Sequence, residues 1–190
     1  MVKNRLIIGI SGASGAVYGL RLLQALKSTD IETHLVISKA GHITISQELG
    51  LKISDVNQLA DWCYNVDDIG AAISSGSFKT MGMVIAPCSV KTMSEIATGV
   101  TSNLLSRAAD VILKERRKLV LCVRETPFHL GHLRTMTSLA EMGAVIVPPL
   151  PAFYPNPQSV DDIVNHSVGR ILDLFDLEND LVKRWQGLKP

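Results

Sequence analysis

Leu6-Ile7-Ile8-Gly9-Ile10, followed at once by Ser11-Gly12-Ala13-Ser14-Gly15, decides how the whole chain is read. A short apolar run closed by a Gly/Ser turn is a buried strand. Val17, Leu20, Leu23 and Leu26 then recur at helical spacing, so the strand feeds through a tight turn into a helix. The same alternation returns downstream. Thr33 to Ile37 is a second β-branched run, followed by a helix over roughly 40–49. Met83-Val84-Ile85-Ala86 is a third strand, stopped by Pro87-Cys88-Ser89, and two helical patterns fill 90–116. Leu119 to Val123 ends at Arg124-Glu125, and a helix near 130–141 leads through Gly143 into Ala144 to Val147. Between 50 and 80 only one helix near 55–62 and a Gly/Ser stretch at Ser74 to Ser77 can be read. Strands separated by helices of ten or more residues imply parallel βαβ units, and continuous apolar strands imply helices on both faces. The expected architecture is α/β: one three-layer α/β/α domain over 1–190 with a doubly wound parallel sheet of Rossmann or flavodoxin type. A proline-rich loop at 148–158 holds most of the chain's prolines, and a C-terminal helix or arm follows at 159–190.

Composition narrows the function. The 190 residues carry 19 basic and 18 acidic side chains, a net charge of +1, so no basic excess exists for a nucleic acid. Mean hydropathy of +0.22 excludes a disordered chain, and no run approaches the ~20 apolar residues of a membrane span. Cys63, Cys88 and Cys122 are odd in number and lack metal-ligand spacing, and the histidines form no HxxE or HxxxH pattern, so no metal site is expected. The apolar run after Arg5 is too short for a signal-peptide core, and the expected compartment is the cytoplasm. Charged residues make up only 19% of the chain, below the usual ~25%, which points to surface buried against other subunits.

In open α/β sheets the ligand lies beyond the carboxyl ends of the strands. Those ends carry Ser11 to Gly15, Ser38-Lys39, Ser89-Val90-Lys91-Thr92, Arg124-Glu125 and Pro148 to Pro157. The first turn offers backbone N–H groups, a helix start and a hydroxyl, a set suited to phosphate; the plain alternative is a tight turn capped by Ser14. GxGxxG is absent, and the second strand ends in Ser38 without an acid for a ribose hydroxyl, so a mononucleotide such as FMN fits better than a dinucleotide. Ser89 to Thr92 can be a ligand segment or a helix start capped by Ser89. Arg124 can grip phosphate and Glu125 can move a proton. Lys114 heads a charged run that ordinarily solvates a helix end, and Tyr154 and Arg170 are ambiguous alone. Cys88, with no activating partner in the sequence, reads as structural.

Taken together, Gly9-Ile-Ser-Gly-Ala-Ser-Gly-Ala16, Ile37-Ser-Lys-Ala40, Ala86-Pro-Cys-Ser-Val-Lys-Thr92, Arg107-Ala-Ala-Asp-Val111 and Leu113-Lys-Glu-Arg-Arg117 resemble the UbiX/Pad-type flavin prenyltransferases. Val123-Arg-Glu-Thr-Pro127, Gly143-Ala-Val-Ile146, Pro151-Ala-Phe-Tyr154, Pro157-Gln-Ser-Val160 and Arg184-Trp-Gln-Gly187 extend the resemblance along the chain. It implies a Rossmann-like flavoprotein, assembled as a homododecamer. Its expected activity joins a dimethylallyl group from dimethylallyl monophosphate to N5 and C6 of reduced FMN, without a metal. The product, prenylated FMN, would serve a separate UbiD-type decarboxylase of aromatic or acrylic acids.

Carried over by position, the resemblance implies that Gly12, Ala13, Ser14, Ser38, Ser89, Val90, Lys91, Thr92 and Arg124 hold FMN. Lys114, Arg124, Tyr154 and Arg170 would grip the prenyl phosphate, Tyr154 and Arg170 from a neighbouring subunit, with Trp185 shielding the allyl group. Ser14 and Glu48 would relay protons, and Glu125 would act as acid and base toward the departing phosphate. The rival readings are a flavin-dependent decarboxylase of C-terminal cysteines, a flavodoxin-type carrier, and direct decarboxylation of phenolic acids. The first would carry a Pro/Met/Asn/Trp motif where this chain has Pro151 to Pro157, and the second a T/S-x-T-G-x-T loop and an acidic surface.

Overall fold

The structure is a computed structural model that describes residues 4–187 and divides into two compact units, 1–148 and 149–190. In the first unit, β1 (Arg5–Ile10), α1 (Ala16–Leu26), β2 (Glu32–Ile37) and α2 (Lys39–Leu49) succeed one another as the hydrophobic pattern requires. α3 (Ile53–Asn57) and β3 (Trp62–Tyr64) come next, then β4 (Gly82–Cys88), α4 (Val90–Thr98), α5 (Leu104–Lys114), β5 (Lys118–Val123), α6 (Leu130–Glu141) and β6 (Val145–Ile146). All neighbours in the six-stranded sheet are parallel, in the order β3-β2-β1-β4-β5-β6. That is the Rossmann order, with the switch point between β1 and β4.

β3 is the strand the sequence pattern does not show. Its three residues, Trp62, Cys63 and Tyr64, are exposed or half-buried, so no apolar run announces it. The helix before it ends earlier than the spacing suggests, at Asn57 instead of near 62.

The central strands are buried almost throughout, with every residue of β4 enclosed. α5 supplies much of the cover through Leu104, Leu105, Ala108, Ala109 and Ile112, each at most 1% exposed. Asn103 starts that helix by accepting from the amides of Leu105 (2.9 Å) and Ser106 (3.1 Å). Truncating a core leucine such as Leu105 to alanine would cost about 2–5 kcal/mol by the usual cavity argument.

One polar group lies inside this frame at the amino side of the sheet. His34, on β2, is 2% exposed, and its Nδ1 meets the Tyr64 hydroxyl at 2.9 Å while Nε2 meets Glu32 Oε1 at 3.1 Å. Arg5 donates to the same Glu32 oxygen (2.8 Å) and lies over the Phe78 ring. Phe78 stands edge-on to His34, and Trp62 and Tyr64 stack beside it. A neutral imidazole satisfies both contacts, donating to Glu32 and accepting from Tyr64.

The second unit is built on α7 (Val160–Asp173). Ser159 and Asp162 cap it reciprocally: the Asp162 amide donates to Ser159 Oγ (3.1 Å), and the Ser159 amide to Asp162 Oδ2 (3.0 Å). Gly169 lets the segment at 179–182 lie on the helix, since a Cβ there would stand 2.4 Å from Val182 Cγ2. No helix among the described residues is long and apolar enough to cross a membrane.

Burial lowers the pKa of His34 from its ordinary 6.5, against the opposing pull of Glu32. The unfolded chain therefore binds a proton below about pH 6.5 that the folded chain refuses, and stability falls as pH drops through that value. The expected result is a lower thermal midpoint at pH 5.5 than at pH 7.5, with a smaller difference in His34→Gln. Equal pH dependence in the two proteins contradicts the assignment.

Candidate functional site

From β1 the chain turns one way to β2 and later the other way to β4, so the turns after these strands diverge and open a crevice. A row of hydrogen bonds stitches its floor. The Ser38 amide donates to Ile10 O (2.9 Å), the Ser11 amide to Pro87 O (3.1 Å), and the Arg124 amide to Cys88 O (3.0 Å). Ser11 carries the central stitch. Its hydroxyl donates to Pro87 O (2.8 Å) and accepts from the Ser89 amide (2.7 Å), where the β4–β5 register shifts between Ile85 and Cys88.

α1, α2 and α4 begin directly after the ends of β1, β2 and β4 at this edge. Ser38 caps α2 by accepting from Gly41 (2.9 Å), and Ser89 caps α4 by accepting from Thr92 (3.3 Å). α1 has no side-chain cap of its own; Gly15 stands before it at φ +101°, a left-handed conformation that favours glycine. Glu48, from α2, takes the cap's place, with Oε2 accepting from the amides of Gly15 (2.8 Å) and Ala16 (3.0 Å). Ser14 also hydrogen-bonds Glu48 and so is not the cap the sequence allowed. Burial opposes ionisation of Glu48, but the bonds from Ser14, Gly15 and Ala16, aided by Arg124, outweigh it and hold the carboxyl below its usual range. Of the backbone donors expected on the first turn, the Gly15 amide is therefore engaged within the chain, as is that of Ala16. The Ala13 amide donates to Ser11 O, and the helix start already holds an anion, the chain's own carboxylate.

The open space lies one step over. A cavity of about 490 Å³ is lined by Gly12, Ser38, Lys39, Ala40, Val66, Asp67, Ser89, Val90, Lys91, Thr92, Ser102 and Asn103. Gly12 is required by close approach, since a Cβ there would stand 2.2 Å from the Ala40 Cβ on the first turn of α2. Val90 and Lys91 occupy the first two positions of α4, where amides have no intrahelical acceptor. Lys39 pairs with Asp67 (2.8 Å) and Lys91 with Glu95 (2.7 Å).

Of the residues expected from sequence, the structure places Gly12, Ser38, Ser89, Val90, Lys91 and Thr92 on one cavity, with Ser14, Glu48 and Arg124 as a separate group of interacting side chains. Asp67, Glu95, Ser102 and Asn103 are additions; only Asn103, ahead of an apolar helix, carries a recognisable capping signal. Glu125 Oε1 accepts from the Thr126 amide (2.9 Å). Lys114 lies elsewhere in this copy. It ends α5 next to the amino end of β5, a strand about 20 Å long whose carboxyl end leads to Arg124. Within one copy the two cations stand toward opposite ends of that strand. Lys114 pairs there with Glu115. Cys88 and Cys122 are buried in the sheet, and burial raises both thiols, Cys122 to about 12.

Tyr154 and Trp185 meet inside the second unit, where Arg170 acts on the same histidine that Tyr154 contacts. The Tyr154 hydroxyl lies 3.0 Å from His166 Nε2, and its ring stands edge-on to Trp185 at 5.6 Å. Arg170 donates to Asp173 Oδ2 (2.7 Å), which Arg184 also engages. Burial, with Arg170 adding to it, lowers the His166 pKa against the pull of Asp173. His166, Asp173 and Arg184 were not singled out by sequence, although His166, Arg170 and Asp173 share one helix face by their spacing.

A family model described as Flavoprotein matches residues 1–172. The chain is 62% identical over 187 residues to "Flavin prenyltransferase UbiX" of Escherichia coli K12, covering 97% of this chain and 99% of the relative. A crystal structure of AnUbiX (PadA1) in complex with FMN and dimethylallyl pyrophosphate superposes with a TM-score of 0.97 at 47% identity, covering 98% of this chain and 100% of that one. A dodecameric FMN-dependent UbiX-like decarboxylase from Escherichia coli O157:H7 gives 0.94 at 52%, covering 96% and 100%. The FMN-dependent cysteine decarboxylase TvaF, at 16% identity and a TM-score of 0.62 over 88% of this chain and 99% of that one, shares the fold alone.

Ser11→Ala removes both the donor to Pro87 and the acceptor of the Ser89 amide. An unmatched buried amide costs about 1–3 kcal/mol, so the urea midpoint should fall with little change in slope. An unchanged midpoint contradicts the role given to this side chain.

Proposed function

This chain belongs to the UbiX-type flavin prenyltransferase family, and from that premise we propose how its own residues serve the reaction. The protein is a prenyltransferase that acts on FMN and provides prenylated FMN for UbiD-type decarboxylases. One observation carries the assignment of the site: the carboxyl-edge cavity is lined by the segments that the family resemblance singles out.

The cavity suits FMN. Its volume lies within the ~300–1,000 Å³ of small-molecule sites, and its donors are hydroxyls and helix-start amides. Gly12, Ala13, Ser14, Ser38, Ser89, Val90, Lys91, Thr92 and Arg124 would hold the flavin. With the Gly15 and Ala16 amides taken by Glu48, the anion donors fall to α2 and α4. Reduced FMN is the acceptor substrate: its N5, giving up a proton, would bond the allylic carbon as the C–O bond breaks and phosphate leaves, and its C6 would bond the far alkene carbon, C6 losing a proton as the neighbouring alkene carbon gains one.

The chain's part is electrostatic and acid–base. Glu48 is held ionised by two amides and the Ser14 hydroxyl, so it can accept a proton passed through Ser14. Arg170 and Tyr154 would receive the prenyl phosphate, with Lys114 and Arg124 adding positive charge where negative charge grows. Glu125 would exchange a proton with the departing phosphate, and Trp185 would shield the allyl group. We take the donor to be dimethylallyl monophosphate.

The position of Lys114 supports a site shared among copies, since it stands a strand's length from Arg124. The assembly we propose is a dodecamer in the cytoplasm. We read 1–190 as one flavoprotein domain with a C-terminal arm, because the family match runs through residue 172, past the junction at 148.

Anaerobic incubation with reduced FMN and dimethylallyl monophosphate, then mass analysis, should show a flavin heavier by one five-carbon unit. Bound FMN with no added unit would sink the reading, and release of CO2 from a phenolic acid by this chain alone would favour direct decarboxylation. Glu48→Gln should retain FMN but lower turnover at least ~100-fold, the usual scale of lost proton transfer. Arg170→Ala should raise KM for the prenyl phosphate more than it lowers kcat. Unaltered kinetics in either variant removes that residue from the mechanism.

A further inference from the structure

The cavity's second lysine is held by a carboxylate that does not itself line the cavity. Glu95 lies one turn beyond Lys91 on α4, its side chain only 14% exposed. A single oxygen, Oε1, accepts from Lys91 Nζ (2.7 Å) and from Ser102 Oγ (2.6 Å). Ser102 in turn accepts from Asn103 Nδ2 (3.2 Å), and Asn103 caps α5. Lys91, Ser102 and Asn103 all line the cavity. One half-buried carboxylate oxygen therefore meets two lining residues and reaches the third, Asn103, through Ser102.

The tether on Lys91 is weak by construction. The lysine precedes the glutamate at i,i+4, the less favourable order on a helix, and is 71% exposed. Its backbone amide, with that of Val90, sits at the start of α4, where a phosphate would be received. An anion there and Glu95 compete for the same ammonium, and Glu95 also repels the anion. Because the proposed product must leave for a second enzyme, a site that grips phosphate too well would stall.

Resting on the flavin reading above, we propose that Glu95 is a positioning residue: it withholds Lys91 from the flavin phosphate and thereby sets how readily flavin is released. The function of the pair is to keep the cavity's affinity moderate. Glu95→Gln preserves shape and the acceptor for Ser102 while removing the charge, and Lys91→Met removes the contested cation.

The test is fluorescence titration and stopped-flow release of FMN, with riboflavin, which lacks the phosphate, as the parallel probe. Glu95→Gln should tighten FMN by roughly three- to ten-fold, the scale of a partly exposed charge pair, and slow its release in proportion. The salt dependence of FMN affinity should steepen, riboflavin should be unaffected, and the change should vanish on the Lys91→Met background. Equal or weaker FMN binding in a Glu95→Gln protein that melts normally overturns the proposal. So does a riboflavin effect of the same size, which marks a purely structural role for the Ser102 contact, or tightening that persists without Lys91. Wild-type protein that binds neither flavin overturns the flavin reading itself, and the proposal with it.

Discussion

The hydroxyl of Ser11 holds together the two strands whose divergence creates the crevice. β1 and β4 are neighbours, yet the turns beyond them must part, and Pro87 has no amide to continue the ladder. Ser11 supplies what the ladder loses, giving a donor to Pro87 and an acceptor to Ser89. Because Ser89 is also the cap of α4, the same side chain fixes where that helix begins. The direction of α4, the amides at its start and the wall of the cavity all depend on one buried hydroxyl. Its replacement by an apolar side chain would disturb the site before it disturbed the core.

A second constraint acts on charge. Three helices start at this edge, and each positive end attracts an anion. Had all three been left open, phosphate could settle at any of them. Glu48 closes α1 from within the chain, while serines close α2 and α4 only partly, since a hydroxyl cap brings no charge. The choice among helix ends is thus made by one carboxylate 33 residues away from the amide it caps. The same hydrogen bonds that cap the helix keep that carboxylate ionised, so a stabilising contact and a proton acceptor are one group.

How much of this was legible depends on where each signal lives. The strands of the sheet show in the sequence because parallel strands buried on both faces must be apolar along their length, as β4 is. β3 does not, because an edge strand of three half-exposed residues has no periodicity to offer. Ser38, Ser89 and Arg124 can be found because each stands just past the carboxyl end of a strand or at its last turn. Glu48, Asp67 and Glu95 cannot, since each lies on a helix face or a loop and matters only through a partner brought close by folding. Glu48 was reached by family resemblance alone, and Glu95 not at all. His34 was hidden for the opposite reason: it sits within an apolar strand run and is packed against Tyr64 and Phe78 from two other segments.

The balance of 19 basic against 18 acidic side chains recurs in local pairs along the chain. Lys39 is held by Asp67, Lys91 by Glu95, Lys114 by Glu115, and Arg170 by Asp173. Arg124 differs: among the described residues it makes no ion pair within 4 Å, and its charge acts at longer range on Glu48. A site prepared in this way keeps its cations solvated, paired and in place without a standing excess of positive potential, so it does not collect polyanions. Each exposed pair is cheap to open, and a phosphate that arrives exchanges one partner for another instead of meeting a bare charge. The affinity that results is a difference between two ion pairs rather than the full strength of one. Such a difference is small enough to reverse when the phosphate is cleaved from its carbon or the flavin must depart, which is what turnover on two phosphorylated ligands requires.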